Sequence, residues 1–316
     1  MLSRVANNLF WLDRYMERSN GLLNLIKTNY LSNQEFKDNS SWNRVTQTYF
    51  GKSVNDLKIP EDNYTEILQY MMFNKKSNNT IIDLIKKSRQ NARSVQEHIS
   101  KELWLNINKY FLHINNKNLP LHLIEEDPIL IIDELLKFNM LHYSNSDINQ
   151  ERGNAYCFMN LGKYLERLFQ SIDFLLSRLV ISKSKMDDLE ENLYWKTLLT
   201  SIGGYQQYVR TYKSVFHTEN VMQMIVLNPY FPRSIYYCLK KLSIHIERLN
   251  NFNNINSMND LSFLIGKLES NLRFTKIENL KQIGLEKFLI EMKVELQQLS
   301  DEIDTVYFNN LYQINT

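Results

Sequence analysis

Glycine and proline are scarce in this chain, with eight glycines and five prolines among 316 residues, the prolines at positions 60, 120, 128, 229 and 232. Long stretches without a breaker favour helix and argue against a turn-rich β fold. Cysteine is scarcer still. Cys157 and Cys238 both sit inside apolar patterns, which excludes a disulfide-built scaffold. They read as small buried residues in a reducing compartment, a bridge between them being the lesser alternative. A dominant charge is also missing, because 37 Lys and Arg against 35 Asp and Glu leave a formal charge of +2. That is too little to imply a nucleic acid or an anionic membrane surface, and no basic run is interleaved with aromatics. No window of about eighteen apolar residues exists to span a bilayer. The apolar N-terminus carries Arg4, Asp13 and Arg14 in its early turns and no small-residue cleavage site, so it reads as a folded helix rather than a signal peptide. A soluble, cytoplasmic protein is expected.

The common catalytic signatures are absent as well. There is no His-Glu-x-x-His and no Glu-x-x-His, so zinc-protease and ferritin-type di-iron chemistry lack their ligands. The six histidines are scattered, and His98, His217 and His245 have no ligand-spaced neighbours. Gly203-Gly204 alone does not make a phosphate loop, and neither cysteine stands in a Cys-x-x-Cys. The sequence therefore predicts no metal and no cofactor.

What the chain does contain is a repeat. The segment Trp11-Leu12-Asp13-Arg14-Tyr15-Met16-Glu17-Arg18 returns as Met159-Asn160-Leu161-Gly162-Lys163-Tyr164-Leu165-Glu166-Arg167, at a constant offset of 149 residues. Each copy sets a basic residue, a Tyr, an apolar residue, a Glu and an Arg in succession. Trp42 follows Glu17 by 25 residues much as Trp195 follows Glu166 by 29, so the repeat extends beyond the motif. It predicts two tandem helical units, residues 1–149 and 150–316, packed as one all-α helical bundle.

At roughly 100° per residue, the first helix, expected over Met1 to Ile26, aligns Val5, Leu9, Leu12, Met16 and Leu23 in one apolar stripe. Arg18 falls in angle between Trp11 and Leu25, against aromatic surface, while Glu17 shares a narrow arc with Asp13 and Arg14. A half-buried guanidinium does not lose its proton and needs a carboxylate, phosphate or carbonyl. The duplication suggests an answer: the two motif helices pack about a pseudo-twofold axis, pairing Glu17 with Arg167 and Glu166 with Arg18. The bland alternative is a pair of solvated Glu-Arg neighbours, each worth a few tenths of a kcal/mol.

Further along, Trp42 to Tyr49 and Tyr64 to Phe73 read as helices, and Ser77-Asn78-Asn79-Thr80 offers Thr80 or Asn79 as cap for a long helix from Ile81 to Ile99. The helical pattern continues from Ser100 to Leu112. Arg89 and Arg93 lie four apart on one face, with Glu97 extending the row; the two arginines with Asn91 and a nearby aromatic suit a carboxylate or phosphate, and an exposed charge ladder is the simpler reading. Residues His113 to Pro128 lack periodicity, Ile129 to Met140 is helical, and Asn145 to Asn149 connects to the second copy, which runs to Ile181. Lys183 to Asp188 reads as a charged loop. Tyr205, Tyr208 and Tyr212 form an aromatic stripe that suits a core lining better than a cofactor box. Ser234 is placed to cap a helix over Ile235 to Leu249, mirroring the cap before Ile81. Two more helices, Met258 to Phe274 and Leu285 to Leu311, complete the chain.

The opening Met1-Leu2-Ser3-Arg4-Val5-Ala6-Asn7-Asn8-Leu9-Phe10-Trp11-Leu12-Asp13-Arg14-Tyr15-Met16-Glu17-Arg18 resembles that of the alpha-E domain proteins, a bacterial helical family named for its Glu-Arg motif. Tyr164-Leu165-Glu166-Arg167, Ala92-Arg93 with Ser100, Glu102 and Trp104, and Phe231-Pro232-Arg233-Ser234 resemble it too. Asn78-Asn79-Thr80 departs from the Pro-Ser-Ser run expected there, and Asn160 and Gly162 replace bulkier residues. The resemblance implies work beside circularly permuted ATP-grasp ligases, transglutaminase-like proteins and Ntn-hydrolase-type peptidases, in peptide synthesis or modification. Three roles follow from it: a binding component that acts with the ligase or its peptide substrate, an enzyme with Glu17 or Glu166 as general base and Arg18 or Arg167 as carboxylate clamp, or a purely structural lock. The candidate binding residues are Arg4, Arg14, Tyr15, Glu17 and Arg18 in the first copy and Tyr164, Glu166 and Arg167 in the second. Arg89, Asn91, Arg93, Glu102, Trp104, Tyr205, Arg233 and Ser234 complete the set. The binding component, without catalysis of its own, is the expected role.

Overall fold

A chain this poor in breakers folds into helix almost everywhere. The computed structural model describes residues 1–36, 40–60, 63–181, 188–213, 216–253 and 260–309, and among these it has fifteen α-helices and no strand. The described chain divides into two compact units, one of Tyr15–Glu151 with Thr200–Ile202, the other of Met1–Arg14, Arg152–Leu199 and Gly203–Thr316. The division falls within the first helix, α1 (Ser3–Phe36).

The unit that begins at Tyr15 takes the rest of α1 and then α2 (Ser40–Phe50), α3 (Tyr64–Phe73), α4 (Ile81–Ser94), α5 (Lys101–Ile114), α6 (Leu119–Glu125) and α7 (Pro128–Ile148). Here α5 packs on both α4 and α7, with α3 and α6 laid against them. The other unit is built on α8 (Asn154–Ile181), followed by α9 (Asp188–Ser201), α10 (Tyr205–Tyr212), α11 (Thr218–Met222), α12 (Ile235–Asn253), α13 (Asp260–Phe274), α14 (Ile277–Ile283) and α15 (Leu285–Ile303). Its strongest packing is α12 along α8, with α13 on α12 and α15 on α8. A π-helical turn, Asp304–Phe308, closes α15 and brings Phe308 to within 5.2 Å of the Phe10 ring.

The apolar stripe of α1 lies in the core: Leu9, Leu12, Met16 and Leu23 are fully buried. The helix itself runs to Phe36, ten residues past the expected end. The long helix expected from Ile81 stops at Ser94, where Val95 leaves helical geometry and a 3-10 turn, Gln96–His98, intervenes. Gln150 holds that break from across the unit, its Oε1 accepting from the Ser100 amide at 2.9 Å and its Nε2 donating to the His98 carbonyl at 3.0 Å. The stretch expected to be aperiodic contains α6, because Pro120 sits in its first turn, where a missing N–H costs nothing. Asp127 caps α7, which begins on Pro128 and absorbs most of the expected connection at Asn145 to Asn149. Most of the loop expected at Lys183 to Asp188 lies outside the described residues, as do the end of the last expected helix and parts of the loops before α2 and α3.

The caps before α4 and α12 are built alike. Thr80 Oγ1 accepts from the Asp83 amide and donates to the carbonyl of Asn74, six residues back, at 3.0 Å. Ser234 Oγ accepts from the Tyr237 amide at 3.0 Å and donates to the carbonyl of Asn228, also six residues back. Both hydroxyls are fully buried, so each satisfies one donor and one acceptor that water does not reach. Thr80→Ala and Ser234→Ala are each expected to lower stability by about 1–2 kcal/mol, read as a shift of the urea midpoint at unchanged slope.

Candidate functional site

The acidic and basic arc of α1 lies in the interior, with Asp13 2%, Arg14 8% and Glu17 0% exposed. Buried charges need partners, and the two units supply them differently.

In the unit built on α8, Arg14 Nε donates to Glu166 Oε2 at 3.1 Å, with Glu166 2% exposed. The repeat suggested Arg18 for Glu166; the partner described is Arg14, one helical turn earlier. The Arg14 guanidinium lies 4.7 Å from the centre of the Trp11 ring, 5.5 Å from Phe10 and 5.7 Å from Phe169, a cage of aromatic faces that suits a delocalised cation. Burial pushes the nearby Asp304 carboxyl up, against the pull of Arg14. Gly162 explains how α1 comes close enough for this pair to form: a Cβ there would stand 2.0 Å from the Phe10 carbonyl oxygen. The missing side chain at the departure Gly162 is what lets the backbone of α1 lie directly on α8.

In the other unit, the Tyr143 hydroxyl donates to Glu17 Oε2 at 2.7 Å. Arg18 Nη1 donates to Asn79 Oδ1 at 3.3 Å. Asn79 is left-handed at φ 66°, a conformation asparagine tolerates, and its Nδ2 donates to the Tyr49 carbonyl at 3.1 Å. The Asn78-Asn79-Thr80 departure thus ties α1, α2 and the start of α4 together. The Tyr15 ring lies 5.8 Å from the Lys87 ammonium.

Among the remaining candidates, the structure brings Arg89 and Trp104 together: Arg89 Nε donates to Asn108 Oδ1 at 2.8 Å, with its guanidinium 4.4 Å from the Phe111 ring and 5.8 Å from Trp104. Arg93 and Glu102 are exposed and Asn91 half-buried, so the expected row of two arginines divides into one packed side chain and one in solvent. Arg4 is exposed near the start of α1. Arg233 Nη1 donates to Gln170 Oε1 at 3.4 Å, while its carbonyl accepts from Ser171 Oγ at 2.8 Å, fastening the α12 entry to α8 beside the Ser234 cap. Tyr205 stacks on Phe216 at 6.2 Å and Tyr208 on the same ring at 5.0 Å, a packing role for both. Cys157 and Cys238 are buried free thiols, the first pushed up to about 11 by burial.

Tyr164 and Arg167 belong to a group that sequence spacing missed. Tyr164 is buried with the Arg167 guanidinium 5.5 Å from its ring, and it stacks on His245 at 6.1 Å and 18°. Burial first, then Lys163, Arg248, Lys241 and Arg152, pull the His245 imidazole down to about 3, so it is neutral in the folded protein at pH 7. In the unfolded chain it titrates near 6.5. As pH falls below about 6.5 the unfolded state takes up the proton first, so this contribution to stability is full above that pH and lost progressively towards pH 3. Thermal melts between pH 7 and pH 4 are expected to fall more steeply for the wild type than for His245→Phe.

Among the described residues, no group of three His, Cys, Asp or Glu is placed to hold a metal ion, and no helix is long and apolar enough to cross a membrane. No curated protein and no solved structure matches the chain. One family does, over residues 1–308, described as a predicted alpha-helical domain with a conserved ER motif. With the match spanning nearly the whole chain, the protein belongs to the Alpha-E family.

Proposed function

We propose that this protein is a non-catalytic binding component of a bacterial peptide synthesis or modification system, acting in the cytoplasm with a circularly permuted ATP-grasp amide ligase and alongside a transglutaminase-like protein. The observation that carries the reading is the state of the two motif glutamates. Glu17 is 0% and Glu166 2% exposed, and each takes a hydrogen bond from a side chain of its own unit, Tyr143 and Arg14. A general base must reach the proton it removes, and these carboxylates are enclosed by the fold. That favours the motif as an internal brace over the motif as acid-base machinery. The choice of ligase rests on the resemblance of the opening motif, and the choice of cytoplasm agrees with two buried free thiols.

The test is co-purification with the neighbouring ligase, followed by a ligation assay with and without this protein. Dependence of ligation on the wild-type chain, with activity kept by Glu17→Gln and Glu166→Gln protein shown to be folded, is the expected result. Loss of activity in folded Gln variants would return the catalytic reading. A ligase that neither binds nor responds would overturn the assignment.

A further inference from the structure

The structure leaves one buried polar atom whose surroundings ask for a ligand. His245 is 5% exposed on α12, and its Nδ1 is buried with no hydrogen-bond partner. A nitrogen stranded in that way gives up its hydration without return, whereas a phenylalanine or leucine of similar size would fill the same space freely.

What surrounds it is basic and aromatic. The imidazole is stacked on Tyr164 and meets the Tyr156 ring edge-on at 5.7 Å. Cations lie over these same rings: Arg152 at 4.2 Å over Tyr156, and Lys163 at 4.8 Å over Tyr164. Lys241 lies 5.3 Å from the ring of Tyr237, which itself abuts Tyr164 at 6.3 Å. Arg248 lies on the next turn of α12, and burial first, then Lys163, Arg248, Lys241 and Arg152, keep the imidazole uncharged. Basic and aromatic residues thus meet where α12 packs along α8: Arg152, just before α8, with Tyr156 and Lys163 on one side, and Lys241, His245 and Arg248 of α12 on the other. A neutral imidazole donates from the nitrogen that carries its proton, and guanidinium and ammonium groups attract and hold oxyanions, arginine with a two-pronged geometry.

We propose that the His245 face of α8 and α12 is an oxyanion-binding site, which takes the phosphate or carboxylate group of a small ligand through His245 Nδ1 and the lysine and arginine side chains around it. The site lies wholly within one unit and stands independently of the ligase assignment. An anion seated there gives the stranded nitrogen its partner.

The experiment titrates full-length protein with inorganic phosphate and, in a second arm, with acetate, by calorimetry and by the ring-proton signals of His245. Expected are saturable binding that weakens with salt, movement of the His245 signals, and a rise of its titration midpoint from about 3 when the site is loaded. Lys241→Gln and Arg248→Gln, at half-buried and exposed positions, should melt as the wild type does without anion and bind about tenfold more weakly. Phosphate alone binding marks a phosphorylated ligand, and acetate alone a carboxylate. The proposal is overturned if neither anion binds at about 10 mM, or if binding leaves both the His245 signals and the affinities of the two variants unchanged.

Discussion

Glu166→Ala should destabilise the protein by about 3–5 kcal/mol. The deletion leaves Arg14, 8% exposed, without its described carboxylate partner in an aromatic cage. A guanidinium does not escape by losing its proton, as a buried lysine can, so the stranded charge stays. Exposed Glu-Arg neighbours would give a tenth of this. Equilibrium unfolding in urea, followed by the near-ultraviolet signal of the aromatic cage, measures the effect; a loss under 1 kcal/mol would mean that the pair is a solvated ornament on the helix. Removal of both members in favour of apolar residues, Arg14→Met with Glu166→Leu, should recover most of the loss, because a well-packed apolar pair of similar volume is often as stable as a buried ion pair.

Gly162→Ala should destabilise it as well. Most glycines in helices tolerate alanine and gain stability from it, since alanine is the better helix former by about 1 kcal/mol. Here the added carbon would stand 2.0 Å from the Phe10 carbonyl oxygen and 2.9 Å from its carbon, both backbone atoms, with Arg14 Cγ at 3.2 Å. Backbone does not swing aside as a side-chain tip does, so α1 must lift from α8 and carry Arg14 away from Glu166. Overpacking costs about 1–3 kcal/mol and occasionally more, and the simultaneous strain on the ion pair puts this substitution at the top of that range. Gly266, with nothing within 4 Å of its would-be Cβ, is the internal control: Gly266→Ala should be neutral or stabilising. Equal melting temperatures for the two variants would contradict the close crossing.

Much of this architecture is legible in the amino-acid order. The spacing of Leu9, Leu12, Met16 and Leu23 marks the buried face of α1, and Thr80 and Ser234 mark helix starts before a single coordinate is known. Local rules suffice there, because periodicity and capping act within one or two turns. What escaped depends on contacts far apart in sequence. Nothing near Glu17 points to Tyr143, 126 residues away, and nothing near Val95 points to Gln150, which clamps the break between α4 and α5. The rows Arg89 to Arg93 and Tyr205 to Tyr212 lie on helices, but which member packs and which meets solvent is set by the neighbouring elements. Sequence spacing does not mark His245, because its own helix offers no ligand-spaced partner. Its companions Tyr156, Lys163 and Tyr164 come from α8, and no local spacing on α12 points to them.

The central claim is that the acid-base residues of the repeated motif brace the fold from within, and a double-mutant cycle on Arg14 and Glu166 tests it most directly. If the brace is real, Arg14→Met and Glu166→Leu each cost several kcal/mol while the double variant costs far less than their sum, a coupling of about 2 kcal/mol or more. Costs that add to within about 0.5 kcal/mol would contradict it, since two side chains that behave as strangers are not holding each other.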